Sequence, residues 1–273
     1  MIKLLNPGLK QQTNDTYSKD EIITLMYDDE FYYGELYQKA LSQSSLKIIL
    51  NEPYEYLKQL KGHKQKIGDD YIIGLLVHWG YLEPRVFYNK VFIETERVNS
   101  KEYKEALEKH GELNVFKAKF QRISESYIDT LNRWDKLSDI RKKAEIEVPA
   151  IKMFFDDIPI KGKADLVAED RVLDLKTTRA NPEDFNIYKI RSFDYDLQAF
   201  LYCQLFEKDY FTFIPICKTN NAKGLIHCGQ SVIDSGEEKF YKAVEKYKKF
   251  FHNKTIEESE ALLDEYYYET IVE

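Results

Sequence analysis

The stretch GKADLVAEDRVLDLKTT, residues 162–178, places Asp165, Asp174 and Lys176 among Ala164, Leu166, Val167, Val172, Leu173 and Leu175. Charges in apolar surroundings are costly unless they are paired or bind a cation. On a strand, residues i and i+2 share a side, so Asp174 and Lys176 face one way. If residues 160–168 and 171–177 form neighbouring strands turning at Glu169-Asp170, Asp165 approaches Asp174, and two carboxylates and an ammonium converge. Mg²⁺ takes oxygen ligands and is often held by one or two carboxylates plus substrate phosphate oxygens. A lysine alongside can orient a bound water or neutralise charge developing on a phosphoryl group. This chemistry suits phosphodiester hydrolysis. A surface hairpin with ordinary cross-strand ion pairs uses the same residues, and the stretch alone does not separate the two.

Three further features bear on that choice. His78 is the sole ionisable side chain other than tyrosine between Tyr71 and Leu82 in an otherwise apolar segment, with Gly74 one turn earlier. It suits either a hydrogen-bonded core histidine or a neutral imidazole ligand. Gln198 and Tyr202 stand at i and i+4, hence on one face of a helix, where they could meet a phosphate or position the lysine. Their alternative is a polar edge on a packing helix. Glu145 and Glu147 share a face of the strand before Asp165, and either could add a carboxylate, with at least one expected in solvent.

The elements that must hold these residues follow from pattern. Ser42 or Ser44 can cap a helix through SLKIILNEPYEYLKQL, interrupted at Pro53. DDYIIGLLVHWGYLE, 69–83, is apolar nearly all round and is predicted as an internal helix ending before Pro84. Charged helical patterns cover 100–110 and 115–144. The period then changes: EIEVPAIKMFF, IKGKADLVA and RVLDLKT read as strands, with turns at Asp156-Asp157 and Glu169-Asp170. A helix over 193–208, strands over 210–217 and 224–231 and a last helix over 236–252 complete the pattern. Helices around a central mixed sheet make an α/β (α+β) domain.

Composition narrows the setting. The 273 residues suffice for a core without staples. Cys203, Cys217 and Cys228 form neither a CxxC pair nor an even framework and are expected as reduced thiols. MIKLLNPGLK lacks a signal-peptide run, and the apolar stretch 71–82 is too short to span a bilayer. A cytoplasmic protein with no membrane association is expected. The net charge of −7 opposes an acidic partner overall, yet an acidic site and tail can mask a local basic face. Positive charge gathers at 58–66, 141–143 and 242–249, where solvated helix faces are the plainer reading. No phosphate-cradling GxxxxGK[ST] motif is present, so neither ATP nor a helicase activity is expected in this chain.

Taken together, these pieces resemble the PD-(D/E)XK nucleases, specifically the RecB-type branch. That branch carries a helix histidine, a G-x-x-D strand, a D-x-K strand and a Q-x-x-x-Y helix. The matching positions are His78, Gly162 to Asp165, Asp174-Leu175-Lys176, and Gln198 to Tyr202. ALSQSSLKIILNEPYEY and IIGLLVHWGYLEPRVFYNKV are similar to the opening of exonuclease VIII (RecE-type) domains, and the resemblance covers about residues 40–250. Ala164 replaces the usual proline, at a position that carries no ligand, and Asp174 replaces glutamate, as is normal in the branch.

The resemblance implies a restriction-endonuclease-like core over 41–252, an appended segment 1–40 and an acidic tail 253–273. It implies Mg²⁺ or Mn²⁺ on His78, Asp165, Asp174 and the Leu175 carbonyl, with Lys176 catalytic. Gln198 and Tyr202 would shape the site or bind DNA, and Lys161, Lys163, Arg179 and Lys189 are candidates for the DNA groove. An iron–sulfur cluster, known in a relative with four cysteines, is not expected with three. The exonuclease VIII likeness implies 5′-to-3′ resection of linear duplex DNA in a bacterial or phage-infected cytoplasm. It further implies a ring-like homo-oligomer that feeds 3′ single strands to an annealing protein. A single-strand nuclease, an endonuclease module of a repair complex, and a DNA-binding assembly protein with an inert fold are the alternatives.

Overall fold

A computed structural model describes residues 1–6, 8, 15–63 and 67–266. The chain opens with a short antiparallel pair, β1 (Ile2–Lys3) and β2 (Thr16–Tyr17), then α1 (Lys19–Met26), whose Ser18 and Glu21 close a capping box. A π-helical turn, Phe31–Glu35, leads to β3 (Leu41–Ser42). Ser42 caps α2 (Gln43–Asn51), and Pro53 starts α3 (Pro53–Leu60) as a first-turn proline, which has no N–H to lose there. Next come α4 (Asp69–Leu82) and α5 (Pro84–Tyr88), again begun by proline.

The stretch 115–144, read as helical pattern, is divided and begins with a strand. β4 (Val91–Ile93) precedes α6 (Lys101–His110), and β5 (Val115–Lys117) pairs in parallel with β4 before α7 (Ala118–Asn132) and α8 (Asp135–Lys143). Val115 and Phe116 are buried, so tertiary pairing overrides the helical pattern there. The predicted strands follow as β6 (Glu145–Phe154), β7 (Ile158–Val167) and β8 (Arg171–Thr178), then α9 (Ile187–Ser192), α10 (Tyr195–Phe206) and β9 (Tyr210–Cys217). The strand expected over 224–231 shrinks to β10 (Ile226–His227), because α11 (Gln230–Phe250) begins earlier than its pattern suggested. α12 (Ile256–Asp264), with its own capping box at Thr255, ends the described chain.

The central sheet runs β10-β9-β8-β7-β3, with β6 on the other edge of β7. β8 and β9 are parallel while β7 is antiparallel to both β6 and β8, giving the mixed sheet the pattern required. One face carries α10 and α11, with Ile158, Ile160, Phe200, Leu201 and Phe240 in the core, and α2, α3 and α12 pack into the same cluster. The opposite face carries α4 and α7 against Leu166, Leu173, Leu175, Ile214 and Ile216. α4 is not internal all round: Leu76 and Val77 are buried, whereas Tyr71 is 61% exposed. Leu4, Ile22, Met26 and Leu36 of the first forty residues bury against Ile151 of β6. Leu263 of α12 is buried too, so both ends of the described chain add to the packed body.

Two glycines set the approach of helices to the site strands. A Cβ on Gly74 would meet Thr177 Oγ1 at 3.1 Å, so α4 lies close against β8. A Cβ on Gly162 would meet Leu205 Cδ1 at 2.9 Å and the Tyr202 ring at 3.4 Å, which is how α10 seats on β7. Among the described residues, no helix is long and apolar enough to cross a membrane.

Candidate active site

β7 and β8 pair only at Leu166–Leu173 and Val167–Val172, and then diverge. In the opening between them the Asp165 side chain takes the place of a ladder partner: the Leu175 N–H donates to Asp165 Oδ2 at 2.6 Å. The opening also admits His78 from α4, whose Nε2 lies 3.0 Å from Asp165 Oδ2 and 3.3 Å from the Leu175 carbonyl oxygen.

Glu147 completes this side. It stands across from Asp165, between the paired Ile146–Leu166 and Val148–Ala164, and its backbone is left-handed with φ 52°. Such a conformation costs a non-glycine residue about 1–3 kcal/mol and persists only where surroundings impose it. Here Glu147 Oε1 lies 3.7 Å from His78 Nδ1 and Oε2 lies 3.5 Å from Lys163 Nζ. Glu145, two residues earlier, is exposed. Donor atoms of His78, Glu147 and Asp165 all fall within 4.8 Å of one another. Burial disfavours the His78 imidazolium, but the Asp165 carboxylate and its hydrogen bond, then Glu147, outweigh it and hold the pKa well above the ordinary value.

Asp174 and Lys176 share a side of β8, as alternation requires. Asp174 is 5% exposed. Gln198 Nε2 donates to its Oδ1 at 2.6 Å. Its Oδ2 lies 2.7 Å from Lys176 Nζ, so the ammonium is the partner of this buried oxygen. Burial works against the Lys176 ammonium, while Asp174, Tyr195 and Asp165 more than compensate and raise its pKa. Tyr195 also presents its ring 5.2 Å from Nζ.

The donor set suits a hard divalent cation: carboxylate oxygens of Asp165 and Glu147, a backbone carbonyl and one imidazole. Thiolates are absent from it, since all three cysteines are buried elsewhere. Tyr202 lies on the same helix face as Gln198, and its hydroxyl donates to the Lys163 carbonyl at 3.2 Å, tying α10 to β7.

The lysines proposed for a DNA groove fare unevenly. Lys163, with 7% of its side chain exposed, is bound between Glu147 and Asp29, 2.9 Å away, so the π-helical segment is moored to the site. Lys161, at 3% exposure, is buried as well. Both share the face of β7 that carries Asp165, because 161, 163 and 165 alternate together, and the segment around Asp29 and Tyr32 covers them there. Arg179 keeps 77% of its side chain exposed while pairing with Asp70 at 3.0 Å, and Lys189 is half-buried. Sequence reasoning missed Lys163 as a partner of Glu147, although the K-x-K-x-D spacing already placed it beside Asp165.

Lys161 supplies a test of the electrostatics. Its ammonium donates to the Tyr32 carbonyl, lies 4.1 Å from the Tyr32 ring centre, and burial lowers its pKa to about 7. A folded pKa below the unfolded one means the charge costs stability in full below pH 7. That cost fades as the pH rises towards the ordinary lysine value of about 10.4. Lys161→Met should therefore stabilise the protein by roughly 1–4 kcal/mol at pH 6, and by progressively less at pH 8 and 9. Urea melts at the three pH values measure this; a gain that does not shrink with pH would contradict it.

Comparison with known proteins places these features. Residues 42–260 match the family described as "PDDEXK-like domain of unknown function (DUF3799)". The fold is similar to a crystal structure described as "Putative exonuclease" from Eubacterium rectale, with TM-score 0.62 and 14% identity, over 90% of this chain and 96% of that one. A "phage related exonuclease" from Haemophilus somnus aligns over 76% of this chain and 93% of its own at 12% identity, but its TM-score of 0.33 is too low to establish a shared fold. No curated protein matches the sequence. With its family match spanning both site strands and the helices around them, the chain belongs to the PDDEXK-like domains, within the PD-(D/E)XK nuclease superfamily.

Proposed function

We propose that the protein is a divalent-metal-dependent DNA exonuclease that degrades linear duplex DNA from its ends. The observation that carries this reading is the opening between β7 and β8, where His78, Glu147, Asp165 and the Leu175 carbonyl surround one point. The Lys176–Asp174 ion pair lies near enough for the Asp165 charge to act on Lys176 as well. His78, Asp165, Asp174 and the Leu175 carbonyl would hold Mg²⁺ or Mn²⁺, with Glu147 as a further carboxylate. A bound divalent ion supplies Lewis-acid polarisation of the scissile phosphate and lowers the pKa of water.

The remaining work falls to the chain itself. Lys176, kept protonated by Asp174, offers a fixed positive charge where negative charge grows on the phosphoryl group. Gln198 holds the Asp174 carboxylate in one orientation through its 2.6 Å hydrogen bond. The likeness to exonuclease VIII domains and the exonuclease description of the Eubacterium rectale protein favour attack at ends. The former also favours 5′-to-3′ polarity, a homo-oligomer and delivery of 3′ single strands to an annealing protein.

The test is digestion of linear duplex DNA, labelled at either the 5′ or the 3′ end, beside a covalently closed circle of the same sequence. In Mg²⁺ the 5′ label should be released as small products first and the circle should persist, and EDTA should stop all release. Nicking or linearisation of the circle at a similar rate would replace the exonuclease reading with an endonuclease one.

A further inference from the structure

Beside the metal-ligating cluster lies a cavity of about 800 Å³, within the size range of small-molecule sites. His78, Glu147 and Lys163 form its inner wall, so it opens directly onto the candidate site. Its sides are aromatic. Tyr33 and Tyr37 come from the segment around the π-helical turn Phe31–Glu35, while Tyr71 and Trp79 come from α4. On α4, Tyr71 and His78 lie seven residues apart, near two turns, and Trp79 follows at the edge of the same broad face. Tyr33, Tyr37 and Tyr71 are 59%, 52% and 61% exposed, an unusual concentration of open rings next to a polar centre.

The charge on the walls selects among possible occupants. Asp29, Glu30 and Glu83 line the cavity together with Glu147. Burial, then the Glu147 charge, raises the Glu83 pKa, as expected where carboxylates crowd together. A run of backbone phosphates is repelled by such a wall. Nucleobases are not: their faces stack on aromatic rings, and their exocyclic amino groups donate to carboxylates. Lys90 is the lining cation without a carboxylate at ion-pair distance among the described residues. Its Nζ donates to Asn114 and sits 4.1 Å from the Trp79 ring centre, where it could meet the one phosphate attached to a stacked base.

We propose that this cavity binds the unpaired nucleobases of the strand being cut, adjacent to the scissile phosphate. The inference rests on the nuclease reading above and sharpens its substrate: the strand enters the site single-stranded, having left its duplex partner. Inside a duplex both faces of each base are covered by its stacked neighbours, so only unpaired bases can enter between the rings. It also gives the segment before residue 42, which lies outside the family match, a role as one wall of the substrate site. The ion pair of Asp29 with Lys163 holds that wall in place.

Trp79 provides a local reporter, because Trp134 is the only other tryptophan. In a Trp134→Phe, Lys176→Ala protein with Mg²⁺, which binds without cutting, a mixed-sequence single strand of about ten nucleotides should quench Trp79 emission on stacking. A blunt hairpin duplex of equal charge should quench it far less. Tyr33→Ala and Tyr71→Ala should each weaken single-strand binding about tenfold, with Tyr33→Phe restoring it. Both tyrosines are more than half exposed, so the alanine variants retain the fold. Anisotropy of a labelled oligonucleotide with otherwise wild-type protein in EDTA gives a second measure of the same affinities.

An unchanged Trp79 signal at saturating single strand, or Tyr33→Ala and Tyr71→Ala proteins that bind like wild type, would overturn the proposal. Cleavage of linear DNA by the wild-type protein, followed in parallel, separates the two readings. Cleavage without a Trp79 response removes the cavity assignment alone. A Trp79 response and tyrosine dependence without cleavage remove the nuclease reading and leave the cavity as a single-strand site.

Discussion

Lys176→Ala should reduce Mg²⁺-dependent cleavage by about 10²–10³-fold or more, the range seen when one preorganised charge-stabilising donor is removed. It should also destabilise the metal-free protein. The Lys176 ammonium lies 2.7 Å from Asp174 Oδ2, and Asp174 is 5% exposed. Without the ammonium, a buried carboxylate keeps only the Gln198 amide as a partner. Removing one member of a buried ion pair typically costs about 3–5 kcal/mol. A divalent cation at the same carboxylate replaces the lost charge, so Mg²⁺ should recover much of the melting temperature while leaving cleavage abolished. The raised Lys176 pKa places the pair's contribution fully below the ordinary lysine value of about 10.4, to be lost only as the pH rises above it. The stability defect should therefore be flat between pH 6 and 9. Thermal melts with and without Mg²⁺, beside single-turnover cleavage, test both halves. A variant within tenfold of wild-type cleavage would remove Lys176 from the reaction.

Asp165→Ala should weaken Mg²⁺ or Mn²⁺ binding by at least about 100-fold, beyond what loss of an outer hydrogen-bond partner to a metal ligand produces. Asp165 performs two tasks that a second variant separates. Its Oδ2 accepts the Leu175 N–H at 2.6 Å and faces His78 Nε2 at 3.0 Å. Alanine leaves the Leu175 N–H buried and unsatisfied, a loss of about 1–3 kcal/mol. Asparagine retains an acceptor for that N–H but carries no charge for a cation. Asp165→Asn should thus melt closer to wild type than Asp165→Ala and still fail to bind metal or cut DNA. Calorimetric titration of Mn²⁺ into each variant decides the matter. Wild-type affinity in the asparagine protein would show that Asp165 supports the strands and holds no metal.

Much of the site is legible in the chain because strands and helices obey fixed periods. Asp174 and Lys176 had to share a side of β8, and Gln198 and Tyr202 a face of α10, whatever the fold around them. Pro53 marked a break and Pro84 the end of a helix for the equally local reason that proline lacks an N–H and constrains the residue before it, and each also proves to begin the next helix. Local rules failed where pairing decided the outcome. Val115–Lys117 left the helical pattern to join β4, and the segment after Lys223 left the strand pattern because α11 begins at Gln230.

The residue types at the site, their order along the chain, and most of the helix and strand segments were determined by the sequence itself, since each depends on residues a few positions apart. Which carboxylates meet was decided only by the tertiary structure. Glu147 rather than Glu145 joins Asp165, because a left-handed backbone at Glu147 turns its side chain towards His78 and Lys163. His78 reaches the Leu175 carbonyl only because β7 and β8 diverge and Gly74 lets α4 approach β8. Tyr33 and Tyr37 face Tyr71 and Trp79 across a cavity only because the first forty residues pack over β6 and are held there by Asp29 and Lys163. These juxtapositions join residues tens of positions apart, and the energy that selects them lies in long-range packing, which no short window of sequence carries.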